Sequence, residues 1–381
     1  MIFKRRYRKL QTQRTVTGLE RLVAWHKQDK ALNNNKPMNW TRRKFLNAGI
    51  MTTLGGVWLS SGFEKLSFFT TENKLPGGFW PVMMTPYKED LTIDYDGLKR
   101  LIRWYEDSGA TGLFANCGSS EMYDLNNQER IALTKFVVEN SKLPVVSTGT
   151  FSDQIGENID FIKKIHATGV QAVVLIPSVM VRKDENNMAL LHSFENIMKE
   201  TGDIPLGIYE CPSPYKRLIG PDILDQLQKT GRFLYFKDTT CDAELVAQKI
   251  AIASNSDLGI YNAHSPDVLH SIRHGGAGMS CIAGNFYPEL FSYLWRNGRH
   301  KEASASVKKV NDFILSNKSV IGKKYAIGAK YFMNLRGLDL RVNSRKNVSA
   351  LDDGDKARLD TLWKGLTALG KEVDIDIVNY N

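Results

Sequence analysis

From Gly78 onward the sequence alternates short apolar runs with amphipathic ones, and no other feature restricts the fold as strongly. The apolar runs are "FWPVMMT" (79–85), "TGLFANC" (111–117), "PVVSTGT" (144–150), "QAVVLIP" (171–177), "PLGIYEC" (205–211), "FLYFK" (233–237), "LGIYNA" (258–263) and "GMSCIAG" (278–284). Helical patterns such as "YDGLKRLIRWYEDSG" and "DAELVAQKIAIAS" separate them, and several end in Gly, the usual helix stop. Alternation of this kind implies parallel strands joined by crossover helices. Eight units predict an α/β fold, a (β/α)8 TIM barrel, rather than an open doubly wound sheet. No G-x-G-x-x-G follows the first run, which counts against a dinucleotide-binding fold. Residues 286–371 carry further helical patterns, so a C-terminal helical extension is expected. The expected division is a basic N-terminal region at 1–77, a barrel at 78–297 and the extension at 298–381.

Charge is concentrated at one end. The chain has a net charge of +10, but residues 1–46 alone carry +11, which leaves −1 for residues 47–381. The body is near neutral, and nothing in it marks a nucleic-acid binder. The basic head ends in "NWTRRKFLNAGIMTTLGGVWLSSGF", where Arg42 and Arg43 precede Lys44, Phe45, Leu46 and a mildly apolar run to Phe63. This resembles a twin-arginine export signal. It implies the export machinery as a partner and a periplasmic location, with a membrane tether if the signal stays uncleaved. Met38 offers an alternative start to Met1. A basic tail beside an amphipathic helix is the plainer alternative.

Within a (β/α)8 barrel, chemistry sits in the loops after the strands. There Lys237 ends an apolar run, Tyr209 ends the run before it, and "GSSE" (118–121) follows the second. A desolvated lysine loses part of its charge, and the neutral amine can attack a carbonyl to form a Schiff base. A tyrosine on the adjacent strand can shuttle protons. Ser119 and Ser120 with turn N–H groups suit a carboxylate. Alternate side chains face the barrel interior and the outer helices, so burial among Phe233, Tyr235 and Phe236 cannot alone desolvate Lys237; the desolvation is expected to come from the barrel mouth, with Tyr209 close by. The plainer reading of Lys237 is a strand-end lysine reaching water. Cys117, Cys211, Cys241 and Cys281 show neither C-x-x-C nor zinc spacing and read as ordinary small residues. Neither metal nor cofactor is expected.

Taken together, these segments resemble the dihydrodipicolinate synthase and N-acetylneuraminate lyase family of class I, Schiff-base aldolases, over about residues 78–371. "GIYECP" is similar to the family's Y-N-V-P segment and "YFKDTTCD" to its I-K-E-A-T-G-D segment. "CGSSEMYDLNNQER" is similar to its G-T-T-G-E-x-x-x-L-x-x-x-E-R, through Glu121, Leu125, Glu129 and Arg130. The resemblance implies that Lys237 forms the imine, Tyr209 transfers protons and Ser119 holds a pyruvate carboxylate. It also places Ser280 where a backbone group meets the pyruvyl moiety, and it implies a homo-oligomer, a tetramer or dimer.

The departures bear on substrate. Gly118 replaces a relay threonine, and Val179 lies where a synthase tyrosine is expected. Pro214 replaces an arginine, with Lys216 or Arg217 as substitutes from a shifted loop. Ser265 and Pro266 replace the sugar-binding Asp-Glu pair of the sialic acid lyases. The leading expectation is a lyase or aldolase acting on pyruvate or another 2-keto acid, cleaving or condensing a 2-keto-3-deoxy sugar acid or similar compound. A 4-hydroxy-tetrahydrodipicolinate synthase and a non-catalytic binding protein on the same barrel are the alternatives.

Overall fold

In this computed structural model, residues 73–300, 304–322 and 324–381 are described; the basic head with Arg42 and Arg43 lies outside them. Eight parallel strands form one sheet: β1 Gly78–Phe79, β2 Leu113–Phe114, β3 Val145–Thr148, β4 Ala172–Leu175, β5 Leu206–Tyr209, β6 Phe233–Asp238, β7 Gly259–Asn262 and β8 Gly278–Met279. Their order is β1-β8-β7-β6-β5-β4-β3-β2. A parallel bridge between Val82 and Phe114 joins the two ends of that sheet, with Phe114 N–H donating to Pro81 O at 3.0 Å. The fold is the expected (β/α)8 barrel.

Helices alternate with the strands: α1 Tyr95–Asp107, α2 Asn127–Asn140, α3 Ile155–His166, α4 Asn187–Glu200, α5 Pro221–Lys229, α6 Ala243–Ala253, α7 Val268–Arg273 and α8 Pro288–Asn297. Local chemistry starts several of them. The Asp94, Asn126, Asn186 and Asp242 side chains each accept a hydrogen bond from a first-turn N–H. Three further helices, α9 Ala305–Ile321, α10 Tyr325–Asn334 and α11 Asp353–Val373, make up the C-terminal extension.

β1, β2 and β8 are only two residues long, shorter than the apolar runs around them. Pro81, within the first run, cannot donate to a ladder, and the second run leads directly into a tight turn at Gly118–Ser120.

Side-chain alternation, broken once in β6 where the pairing with β5 shifts register between Leu206 and Gly207, divides the core in two. Phe233, Phe236, Ile208 and Ile260 pack outward against the helices, while Trp80, Phe114, Val146, Val174, Tyr235 and Tyr261 fill the barrel. Inside, Tyr235 stacks on Tyr261 with ring centroids 4.6 Å apart, and Trp80 meets the same two rings at 5.5 and 5.4 Å. This aromatic plug closes the barrel beneath the ends of β5 and β6.

Candidate active site

Tyr209 and Lys237 stand opposite each other in the β5–β6 register, both facing inward. The Lys237 Nζ lies 4.2 Å from the centre of the Tyr209 ring and 5.7 Å from that of Phe114. Lys237 is only 4% exposed, and among the described residues no carboxylate lies within ion-pair distance of it. An ammonium so placed is poorly solvated, so burial lowers its pKa below the ordinary lysine value. The Tyr209 ring lies on one side of this nitrogen and the Phe114 ring on another, where Phe114 packs edge-on against Tyr235 at 5.7 Å.

Three cysteines read as ordinary small residues, Cys117, Cys211 and Cys281, lie buried in this part of the barrel. Burial pushes the Cys281 thiol up to about 11, so it is uncharged at neutral pH and gives the lysine no counter-ion. Burial also raises the Tyr209 phenol well above its usual range. This phenol therefore keeps its proton at neutral pH, beside an amine that loses its own at a lower pH than a free lysine does. That combination can attack a carbonyl and protonate the resulting alkoxide.

The three serines differ in what their hydroxyls can still do. Ser120 receives the Cys117 N–H at 3.0 Å and donates to backbone carbonyls, Met83 O at 2.8 Å among them. It fastens the turn and has no proton left for a ligand. Ser280 donates to Trp80 O and receives the Tyr235 hydroxyl, both at 2.8 Å. Its N–H bonds Asn262 O at 2.9 Å, which leaves its carbonyl as the backbone group able to face a ligand. Ser119 alone has a hydroxyl not committed to backbone; its partner is Tyr325 Oη at 3.0 Å.

The departures have visible consequences. A Cβ built at Gly118 would sit 3.4 Å from Tyr209 Oη, so a side chain here would reach that phenol, and glycine supplies none. Val179, in the helical turn Pro177–Met180, packs against the interior cluster. Arg217 donates to Glu185 O at 2.7 Å and Asn187 Oδ1 at 3.2 Å, at the start of α4. Lys216 is therefore the exposed cation of that loop.

Two buried charge clusters escaped the sequence reading. Lys249 on α6 places Nζ 2.7 Å from Glu210 Oε1 and 2.7 Å from Asp238 Oδ2, all three side chains being fully buried. Glu210 follows Tyr209 and Asp238 follows Lys237, so this cluster grips both strands just behind the inward-facing pair. The second cluster ties the C-terminal chain to the barrel mouth. Glu121 Oε2 receives Ser344 Oγ at 2.8 Å and Arg345 N–H at 2.7 Å, while Lys330 Nζ lies 3.8 Å from Oε1. Arg345 adds a two-pronged contact to Glu129 at 2.6 and 2.9 Å. Glu121 and Glu129 are thus fasteners of the C-terminal segment.

A desolvated lysine paired with a tyrosine at the mouth of a (β/α)8 barrel defines the class, a class I aldolase-type lyase. The particular family follows from the whole chain: residues 75–365 match the Dihydrodipicolinate synthetase family, and the protein belongs to it. It is 31% identical over 216 residues to the 4-hydroxy-tetrahydrodipicolinate synthase of Methanosarcina mazei, an alignment covering 56% of this chain and 72% of the relative. The fold is similar to that of a monomeric dihydrodipicolinate synthase variant, with a TM-score of 0.71 at 16% identity, covering 79% of this chain and 99% of that one. A prophage protein of the dihydrodipicolinic acid synthase family from E. coli K12, solved with pyruvate, superposes with a TM-score of 0.68 at 20% identity over 76% of this chain and 98% of that one.

Proposed function

We propose that this lyase forms a Schiff base between Lys237 and pyruvate or a related 2-keto acid, and cleaves or condenses a 2-keto-3-deoxy sugar acid or similar compound. The observation that carries the reading is the pairing of Lys237 with Tyr209: a nearly buried amine, without a carboxylate partner among the described residues, set against a phenol on the neighbouring strand. In this reading the neutral Lys237 amine adds to the keto carbon, and Tyr209 donates a proton to the developing alkoxide. Loss of water then gives the imine, which withdraws electrons from the carbon–carbon bond to be broken or made. Ser119 holds the keto acid's carboxylate, and the carbonyl of Ser280 faces the pyruvyl group. Borohydride reduction with pyruvate followed by intact-mass measurement tests this: a stable adduct on Lys237 is expected, and no adduct favours a binding protein on the same barrel. Release of pyruvate from a panel of 2-keto-3-deoxy acids then identifies the substrate.

A second reading, condensation of pyruvate with aspartate semialdehyde, is favoured by the name of the Methanosarcina mazei relative. Gly118 and Val179 oppose it, because neither supplies a hydroxyl near Tyr209. Two further expectations belong to the proposal. Arg42-Arg43 and the run after them direct the protein to the periplasm through the twin-arginine machinery, where the uncleaved signal would tether it. The chain assembles as a dimer or tetramer, which light scattering of the purified protein checks.

A further inference from the structure

We infer that Tyr325, from the C-terminal extension, is a positioning residue that sets the direction of the Ser119 hydroxyl, so that Ser119 donates outward to an anionic acceptor. The inference rests on the reading that a 2-keto acid binds at Ser119, and it assigns how the carboxylate is recognised.

One hydrogen-bond chain links Val82, Tyr105, Asn285, Tyr325 and Ser119. Val82 O can only accept, so the Asn285 atom 2.9 Å from it is the amide nitrogen. The opposite amide oxygen receives the Tyr105 hydroxyl. The remaining N–H of Asn285 points to Tyr325 Oη. Among the described residues the only other polar partner of Tyr325 Oη is Ser119 Oγ, at 3.0 Å. Having received one hydrogen bond from Asn285, the phenol directs its own proton to Ser119. Ser119 Oγ is then an acceptor towards Tyr325, and its own proton turns away, towards the site.

Every member of this chain is held. Tyr105 and Asn285 are fully buried, and Ser119 is 6% exposed. The Tyr325 ring packs near Phe286, with centroids 6.2 Å apart. Burial pushes the Tyr325 phenol above its usual range, so it keeps its proton at working pH. A donor aligned in advance needs no reorientation when a carboxylate arrives.

The experiment uses the full-length protein with pyruvate as the probe, measuring borohydride-trapped adduct against pyruvate concentration by intact mass. Tyr325→Phe keeps the ring and removes the donor. It is expected to raise the half-saturating pyruvate concentration about tenfold, the order expected for weakening a hydrogen bond to a charged group, with the loss falling there rather than on the rate at saturation. In a Ser119→Ala background the same change is expected to add less than about twofold, because its effect acts through Ser119. Methyl pyruvate, which lacks the charge, is expected to distinguish wild type from Tyr325→Phe far less than pyruvate does. An unchanged half-saturation in Tyr325→Phe, or equal losses in both backgrounds, overturns the inference while leaving the Schiff-base reading intact. Ser119→Ala with wild-type half-saturation also overturns it, and this arm is read even if Tyr325→Phe fails to fold in a circular-dichroism melt. Absence of any adduct on the wild-type protein overturns the Schiff-base reading and the inference together.

Discussion

Lys249 Nζ lies 2.7 Å from Asp238 Oδ2, and Asp238 is the residue immediately after Lys237. The lysine proposed to react and the lysine of the buried ion cluster therefore have their ammonium groups on opposite faces of the same sheet. One is without an ionic partner among the described residues, and the other is held by two carboxylates and Thr240 Oγ1. Lys249→Met keeps the volume and removes the only ammonium in that cluster. Glu210 and Asp238 would then face each other buried, a change expected to cost about 3–5 kcal/mol in urea unfolding. Burial and Asp238 already raise the Glu210 pKa above 4.5. The folded state thus favours the protonated acid, so the deficit of the variant is expected to grow as pH rises above that value and to shrink below it.

Substitution of the reactive pair separates imine formation from proton transfer. Lys237→Arg keeps a cation but cannot form an imine, and is expected to abolish both pyruvate adduct and turnover. Tyr209→Phe keeps the ring that covers Lys237 Nζ at 4.2 Å and removes only the hydroxyl. Slow trapping is expected to survive while turnover falls by about 10²–10⁴. A lysine with a purely structural task predicts a nearly silent Lys237→Arg.

The pH dependence follows from the same burial. Because Lys237 is held below the ordinary lysine value of 10.5, its neutral fraction rises at a lower pH than that of a free lysine. The trapping rate at low pyruvate is expected to climb with pH through a midpoint below 10.5. A midpoint at or above that value would show that desolvation does not set the reactivity.

Gly118 supplies a test of the substrate class. Purified protein is expected to condense pyruvate with aspartate semialdehyde poorly, since no hydroxyl occupies this position next to Tyr209. The space there is ordinary: a Cβ would meet only Tyr209 Oη, at 3.4 Å. Gly118→Thr is therefore expected to fold with a stability change within about 1 kcal/mol. Robust condensation by the unaltered protein would remove the case against a synthase.

Replacing Arg42 and Arg43 together by Lys is expected to retain a tagged protein in the cytoplasm, read by fractionation. A protein starting at Met38 is expected to be exported normally. Export of the doubly substituted protein would exclude the twin-arginine route.

The barrel and the Lys237–Tyr209 pair were legible because they depend on local rules. Apolar runs alternate with amphipathic ones, strand ends face the mouth, and inward residues recur with period two. Ser120 illustrates what sequence cannot resolve: it is the same residue type as Ser119, one position along, yet its proton goes to backbone carbonyls. Which hydroxyl remains available depends on the shape of a three-residue turn. Lys249 does leave a signal in the sequence, since it falls on the same helical stripe as buried Val246, Ile250 and Ala253. A lysine on an apolar stripe must find a carboxylate, and Glu210 and Asp238 were available at the ends of neighbouring strands. Lys330 shows the same pattern among Ile327, Ala329 and Met333, and burial there brings its pKa down to about 8. Tyr325 left no such mark, because its contact with Ser119 spans 206 residues of sequence.

The clamp at Glu121 and Glu129 bears on modularity. The eight strands and both members of the reactive pair lie before the end of α8, so a minimal catalyst cut there looks complete on paper. Such a fragment would lack Lys330, Ser344 and Arg345, which fasten the loop after β2, and Tyr325, which aims its serine. A graft or directed-evolution library that treats the C-terminal helices as a disposable tail would therefore be varying the substrate pocket from outside. The transferable unit of this architecture is the cylinder together with the segment strapped across its rim.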